Sequence, residues 1–140
     1  MKKNKLVINY NYDFDLAGII TSSKGYRLAW EINKKLGVKL VRQPDLIVGF
    51  KKNEEKLFSF YAYETRINRL KLFKNKPIDY EKGKYFLMPE FPRFDFIILT
   101  RSEDPEFKEL VIRSLKEIET IELVTPIPIA TLKSKINFIF

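Results

Sequence analysis

The chain has 140 residues, of which 45% are hydrophobic and 14% aromatic, and this composition predicts one folded domain over residues 1–140 rather than a disordered tail. Its 26 lysines and arginines and 18 acidic residues give a formal net charge of +8. Histidine and cysteine are absent, which excludes disulfides, thiolate catalysis and the commonest metal ligands. We therefore expect no cofactor. The charge indicates either an anionic partner or the lysine-rich bias of an AT-rich genome.

No stretch is long and apolar enough to span a membrane, so we expect no membrane partner. Asn9, Asn11 and Asp13 interrupt the N-terminal apolar run too early for a signal peptide. Together with the missing cysteines, this pattern predicts a cytoplasmic protein.

The first helix is the best-defined predicted element. After an alternating strand over residues 6–14 and a turn over 15–21, residues 23–36 repeat apolar side chains at helical spacing. Ser22 or Ser23 is the expected cap, and Gly37 is the expected left-handed residue that ends the helix. Trp30 lies in the apolar arc, so we expect its indole to be buried between the two helices.

The remaining pattern predicts short strands and a second helix. Strands are expected over 38–41, 46–50, 57–63, 67–73, 94–100 and 121–124, with Pro126 ending the last. The pair 57–63 and 67–73 forms a predicted hairpin, and 94–100 is placed in the middle of the sheet. Asp104 and Pro105 mark the start of the second helix. We predict an α+β fold: a largely antiparallel sheet of five to six strands, two amphipathic helices on one face, and the other face open.

Several polar residues are candidates for a site. Asp13 and Asp15 form a pair that could hold a hard cation or lie at a solvated strand edge. Asn33 falls in the apolar arc of the first helix, where it either bonds a loop backbone or contacts a ligand. Glu90 and Asp95 flank a proline-containing segment. They either tie that segment to a neighbouring backbone or to an arginine, with Arg27 and Arg93 as the candidates, or converge as the carboxylates of an enzyme.

The predicted hairpin carries the best argument for binding. It brings aromatic and cationic side chains together in the sequence: Tyr61, Tyr63, Arg66, Arg69 and Lys71. On an open sheet face these residues could stack bases and neutralise phosphates, or form a protein interface. In the alternative, Phe58 and Phe60 enter the core and the tyrosines form ordinary cross-strand pairs.

Residues 88–96 read MPEFPRFDF, which resembles the motif that names the IPExxxVDY family of small bacterial proteins. Residues 13–19 with 26–33, and the ending 132–140, are similar to the same family. The resemblance implies no assigned activity, cofactor or catalytic residue. We therefore expect a non-enzymatic module that binds another protein or itself. Single-stranded nucleic-acid binding is the alternative, and an enzyme that uses Glu90 and Asp95 is the third.

Overall fold

A computed structural model describes residues 13–79, 85–130 and 132–139 of the chain. The strands are Asp15–Thr21 (β1), Val41–Arg42 (β2), Leu46–Phe50 (β3), Glu54–Phe58 (β4), Phe60–Glu64 (β5), Asn68–Lys74 (β6), Phe96–Ser102 (β7) and Ile121–Ile127 (β8). The helices are Gly25–Leu36 (α1) and Pro105–Lys116 (α2), and 3-10 turns span Lys51–Asn53 and Ser134–Phe138. In the described part of the chain, neither helix has the length and apolar character needed to cross a bilayer.

Six strands form one antiparallel sheet in the order β2-β5-β6-β7-β1-β8, and β3 and β4 form a separate two-stranded sheet. The predicted hairpin is β5–β6, and the strand predicted for the middle of the sheet is β7. The predicted α+β class, with a largely antiparallel sheet and two helices, is confirmed.

The helices lie on one face of the six-stranded sheet, as predicted. Their buried side chains share one core cluster with the inward residues of β1, β6, β7 and β8; the helix residues are Leu28, Ala29, Ile32, Val111 and Leu115. Gly37 ends α1 in the left-handed conformation, with φ 69° and ψ 33°. The Asp104 side chain accepts a hydrogen bond from the Glu106 N–H and caps α2. The predicted serine cap of α1 is wrong, because Lys24 is the N-cap and makes no side-chain cap bond.

β1 was predicted as a turn, and this prediction is wrong. Residues 15–21 form a central strand that pairs with β7 on one side and β8 on the other. Leu16 packs on one sheet face and Ala17 and Ile19 pack on the other. Because both faces are buried, the strand lacks the alternation of a half-buried strand. The strand predicted over residues 6–14 lies mostly outside the described residues.

The second sheet face is covered, so the prediction of an open face is wrong. The β3–β4 sheet and the irregular segments around residues 85–94 and 132–139 pack against it through Val48, Phe58, Leu87, Met88, Phe94, Leu132 and Phe138. Phe94 lies directly over Gly18 of β1, where an added Cβ would come within 2.3 Å of the ring. The fold therefore has three layers rather than two.

Two strand boundaries also differ from the prediction. The predicted strand over 57–63 is divided at Ser59 into β4 and β5, which belong to different sheets. β8 continues through Pro126 to Ile127. It can do so because β8 is an edge strand, where a residue without an N–H is tolerated.

Candidate interaction surface

Glu90, in the segment that resembles the family motif, binds the backbone of the C-terminal 3-10 turn. Its carboxylate accepts hydrogen bonds from the Lys133 N–H at 2.6 Å, the Ser134 N–H at 3.0 Å and the Ser134 hydroxyl at 2.7 Å. Burial alone would raise the pKa of Glu90, but these hydrogen bonds outweigh it and hold the pKa below its usual value. Glu90 therefore fixes one segment of the covering layer to another.

Asp95 connects the same segment to the end of β1. Its Oδ2 accepts a hydrogen bond from the Thr21 N–H at 2.9 Å, and its own N–H donates to the Ile19 carbonyl at 2.9 Å. Glu90 and Asp95 share no hydrogen-bond partner within the described residues. Each ties the proline-containing segment to a neighbouring backbone, as the structural interpretation of the sequence predicts.

Asn75 is a polar centre that the sequence analysis missed. It is fully buried, and its Nδ2 donates to the carbonyls of Phe91 at 3.1 Å and Phe94 at 2.9 Å. Its Oδ1 accepts from the Met88 N–H at 2.7 Å. The only signal in the sequence is an asparagine just after a strand, which is equally typical of an ordinary turn.

The other predicted polar residues do not join this segment. Asn33 Oδ1 accepts from the Leu40 N–H at 2.7 Å, which is the predicted bond from α1 to a loop backbone. Arg27 lies on the outer side of α1 beside Trp30. The predicted cluster of Arg27, Asn33, Glu90 and Asp95 is thus divided among separate places in the fold.

The two aspartates proposed as a cation site pair instead with cations of the chain. Asp13 forms a salt bridge with Arg101 at 2.8 Å, and Asp15 forms one with Lys108 at 3.1 Å. Within the residues that the structure describes, no group of three or more acidic side chains is placed to hold a metal ion.

The aromatic and cationic residues of the β5–β6 hairpin lie on opposite sheet faces. Tyr61 and Tyr63 pack against the helix-side cluster, opposite Leu72 and Leu70. Arg69 and Lys71 alternate with those leucines and therefore point to the other face. The prediction that these tyrosines and cations share one open surface is wrong, since the strand period of two separates them.

The cations of the hairpin have local partners as well. Arg69 Nε bonds the Glu64 carboxylate at 2.9 Å across the hairpin. Burial lowers the pKa of Lys71, and the charge of Arg69 lowers it further, against the opposing effect of Glu64. Arg66 lies exposed in the turn between the strands. This end of the hairpin is a paired, polar surface.

The exposed aromatic residues lie on α1 instead. Tyr26 is 68% exposed and Trp30 is 54% exposed, one helical turn apart. The Arg27 guanidinium lies 5.6 Å from the centre of the Trp30 ring, and the Lys34 ammonium lies 5.1 Å from it. We name Tyr26, Arg27, Trp30 and Lys34 the α1 stripe.

The exposure of Trp30 contradicts the prediction that its indole is buried between the helices. The buried residues on the helix face that touches the sheet are Leu28, Ala29 and Ile32, and Leu36 packs partly buried against the same core. Tyr26 and Trp30 lie at the margin of the predicted arc, and the flanking Arg27 and Lys34 indicate a solvent-facing position. A narrower apolar arc would have predicted this arrangement.

A smaller exposed apolar group lies on the two-stranded sheet. Ile47 of β3 pairs with Leu57 of β4, and both side chains are exposed. Ile78 is exposed too, and its N–H donates to the Leu57 carbonyl at 2.8 Å. This group is aliphatic and has no aromatic anchor.

Neither a family model nor a curated protein matches this sequence. The resemblance to the IPExxxVDY family therefore remains a prediction, and the interpretation of the α1 stripe depends on its own geometry.

Proposed function

We propose that this protein is a binding module, and that an acidic surface of a different protein contacts the α1 stripe. One observation carries the proposal: an exposed tryptophan lies between two cations, with an exposed tyrosine one helical turn away. Tryptophan, tyrosine and arginine are the residues most enriched among those that dominate binding energy at protein interfaces. Large aromatic side chains left exposed on a helix gain free energy when a partner removes them from water.

The charges around the stripe favour an acidic partner. Arg27 and Lys34 form no salt bridge within the described residues, whereas the neighbouring Lys35 pairs with Glu117 of α2 at 2.9 Å. A symmetric dimer through the stripe would bring its cations face to face. Since the chain also carries a net charge of +8, a second copy is the poorer partner.

The test is photo-crosslinking in the cells that make the protein, with Tyr26 replaced by p-benzoylphenylalanine. We expect one discrete adduct whose mass nuclease treatment does not change. The charge reversal R27E/K34E should abolish it, because attraction then becomes repulsion. K51E/K52E is the matched control: it changes the net charge equally at two exposed lysines in the β3–β4 turn, and it should leave the adduct unchanged.

Stability measurements separate lost binding from lost folding. Because the Trp30 side chain is half exposed, Trp30→Ala should change the free energy of unfolding by no more than about 0.5–1 kcal/mol, yet remove the adduct. The same photo-crosslinker is also placed at Ile47, in the exposed aliphatic group of the small sheet. If the protein with the crosslinker at position 47 gives a protein adduct and the one with it at position 26 does not, the partner binds the small sheet and the α1 stripe is excluded as its binding site.

Single-stranded nucleic acid is the second candidate, since stacking on an exposed ring between cations is also how such proteins hold bases. It predicts an adduct whose mass decreases on nuclease treatment. A titration with a labelled oligonucleotide at two salt concentrations, read by the fluorescence of Trp30, would then show binding that weakens steeply with salt.

A further inference from the structure

A groove lies on the helix side of the sheet, between α2 and the strands β1, β7 and β8. Its volume is about 500 Å³, which falls within the range of small-molecule sites. Its lining is mainly apolar and includes Ala17, Ile98 and Pro126 of the strands and Ile112 of α2. Leu16 and Ile127 border the groove, but their side chains belong to the core on the other sheet face. The groove is distinct from the α1 stripe, which lies on the other helix.

The two ends of the groove differ in charge. At one end Lys108 is neutralised by Asp15 at 3.1 Å, and Glu109 and the Thr100 hydroxyl also line the wall. The other end, toward the C-terminus of α2, carries the cations Arg113 and Lys116. Lys108 and Lys116 are eight residues apart on the helix, so the charged ends are separated by about 12 Å.

Arg113 and Lys116 line the second end. Both are exposed, and neither forms a salt bridge within the described residues. Their charges are therefore available to a ligand. An apolar channel that ends at two such cations is complementary to a molecule with a hydrocarbon body and one anionic end.

We infer that this groove binds a free aliphatic carboxylate, whose hydrocarbon chain lies along the apolar walls and whose carboxylate lies beside Arg113 and Lys116. Lys108 does not compete for the carboxylate, because Asp15 already neutralises it and Glu109 adds a negative charge at that end. A positively charged amphiphile would meet repulsion from Arg113 and Lys116 at the cationic end.

The ligand class is tested with three probes of equal chain length: decanoate, decanol and decyltrimethylammonium. All are used below the micelle concentrations of the two ionic probes and below the solubility limit of decanol. Binding is followed by backbone amide shifts in two-dimensional NMR. We expect decanoate to bind tightest and the cation weakest, with shifts centred on Ala17, Ile98 and Ile112. Equal affinity for decanol and decanoate, or shifts centred elsewhere, would overturn the inference.

The cations are tested with R113Q/K116Q. Since exposed charge contacts are individually weak, the double variant should weaken decanoate binding roughly three- to thirtyfold and leave decanol binding unchanged. R27Q/K34Q removes the same charge from the α1 stripe and should not affect either probe. An equal loss in both variants would mean general electrostatic attraction and would reject the site.

The apolar walls are tested with Ile112→Glu, at a partly buried position of α2 that lines the groove. This side chain is only half buried, so the variant should fold, as its urea transition will verify. We expect binding of decanoate and decanol to fall together. Retained binding of both would show that the hydrocarbon chain lies elsewhere.

Discussion

Asn75 fixes the covering segment to the end of β6, and its removal should be costly. In Asn75→Ala the buried Met88 N–H and the carbonyls of Phe91 and Phe94 lose their partner. Each unsatisfied buried group costs about 1–3 kcal/mol, so the free energy of unfolding should fall by roughly 3–5 kcal/mol in urea. Asn137 donates a single bond, to Leu87, and Asn137→Ala should cost about 1 kcal/mol. Equal losses would contradict the central role of Asn75.

Glu90 should make stability depend on pH in the acid range. Its pKa in the folded state lies below the usual value of 4.5, so the unfolded chain binds a proton more readily. The stabilisation is therefore complete above about pH 4.5 and is lost as the pH falls through the lower pKa of the folded state.

The test of this pH dependence is urea unfolding of the wild type and Glu90→Gln between neutral and acid pH. The variant should be less stable near neutral pH, and the difference should shrink as the medium becomes acid. Glu55→Gln, at an exposed position of β4, is the control and should follow the wild type. A constant difference between Glu90→Gln and wild type would show that the charge of the carboxylate is not involved.

Individual polar roles were only partly predictable. The bond of Asn33 to a loop backbone and the attachment of Glu90 and Asp95 to neighbouring backbone followed from the need to pair buried polar groups. The identity of their partners did not, because Ser134 and Thr21 are distant in the sequence. Asn75 gave no signal, since burial of a turn residue depends on what packs over it.

At the scale of elements, the turn between β3 and β4 offers a direct test of backbone strain. Lys52 has φ 65° and ψ 30°, a conformation that costs a side-chain-bearing residue about 1–2 kcal/mol. Lys52→Gly removes that cost but loses more entropy on folding. The net effect should be a gain of about 0.5–1 kcal/mol in the free energy of unfolding.

Lys51→Gly is the matched control, because among the described residues of this turn only Lys52 and Asn53 have positive φ. It should lower the free energy of unfolding by roughly 0.5–1 kcal/mol, since only the entropic term remains. Thermal unfolding of Lys52→Gly, Lys51→Gly and the wild type measures these differences in stability. A loss of stability in both would show that the left-handed conformation of Lys52 stores no strain.

Periodicity predicted the elements that have one buried and one exposed face. α1, α2 and β3 belong to this class, and the structure contains them. The β5–β6 hairpin also forms as predicted, although Phe60 and Phe73 are buried on one face and Leu70 and Leu72 on the other. The prediction for β1 failed because both faces of this strand are buried, so its sequence shows no alternation of apolar and polar residues. Trp30 was misplaced because the width of an apolar arc cannot be read from spacing alone.

For the whole molecule, the fold class was predictable but its third layer was not. The residues that cover the second sheet face come from a small sheet and two irregular segments, whose positions depend on tertiary contacts. With that face covered, the predicted open surface is lost. The exposed aromatic residues lie on α1 instead, so the binding proposal moves to a helix.

The interior position of β1 has a kinetic consequence. The Thr21 N–H donates a hydrogen bond to the Asp95 carboxylate, which is 74 residues away in the sequence. The Thr21 hydroxyl donates one to the Thr120 carbonyl, which is 99 residues away. Closing such long loops must precede most of the sheet's stabilisation, and topologies of this kind refold in milliseconds to seconds. We expect stopped-flow refolding in that range. We also expect a ribosome-bound chain that ends before β7 to remain sensitive to protease. In such a chain neither β7 nor β8, the two strands that pair with β1, has yet been synthesised.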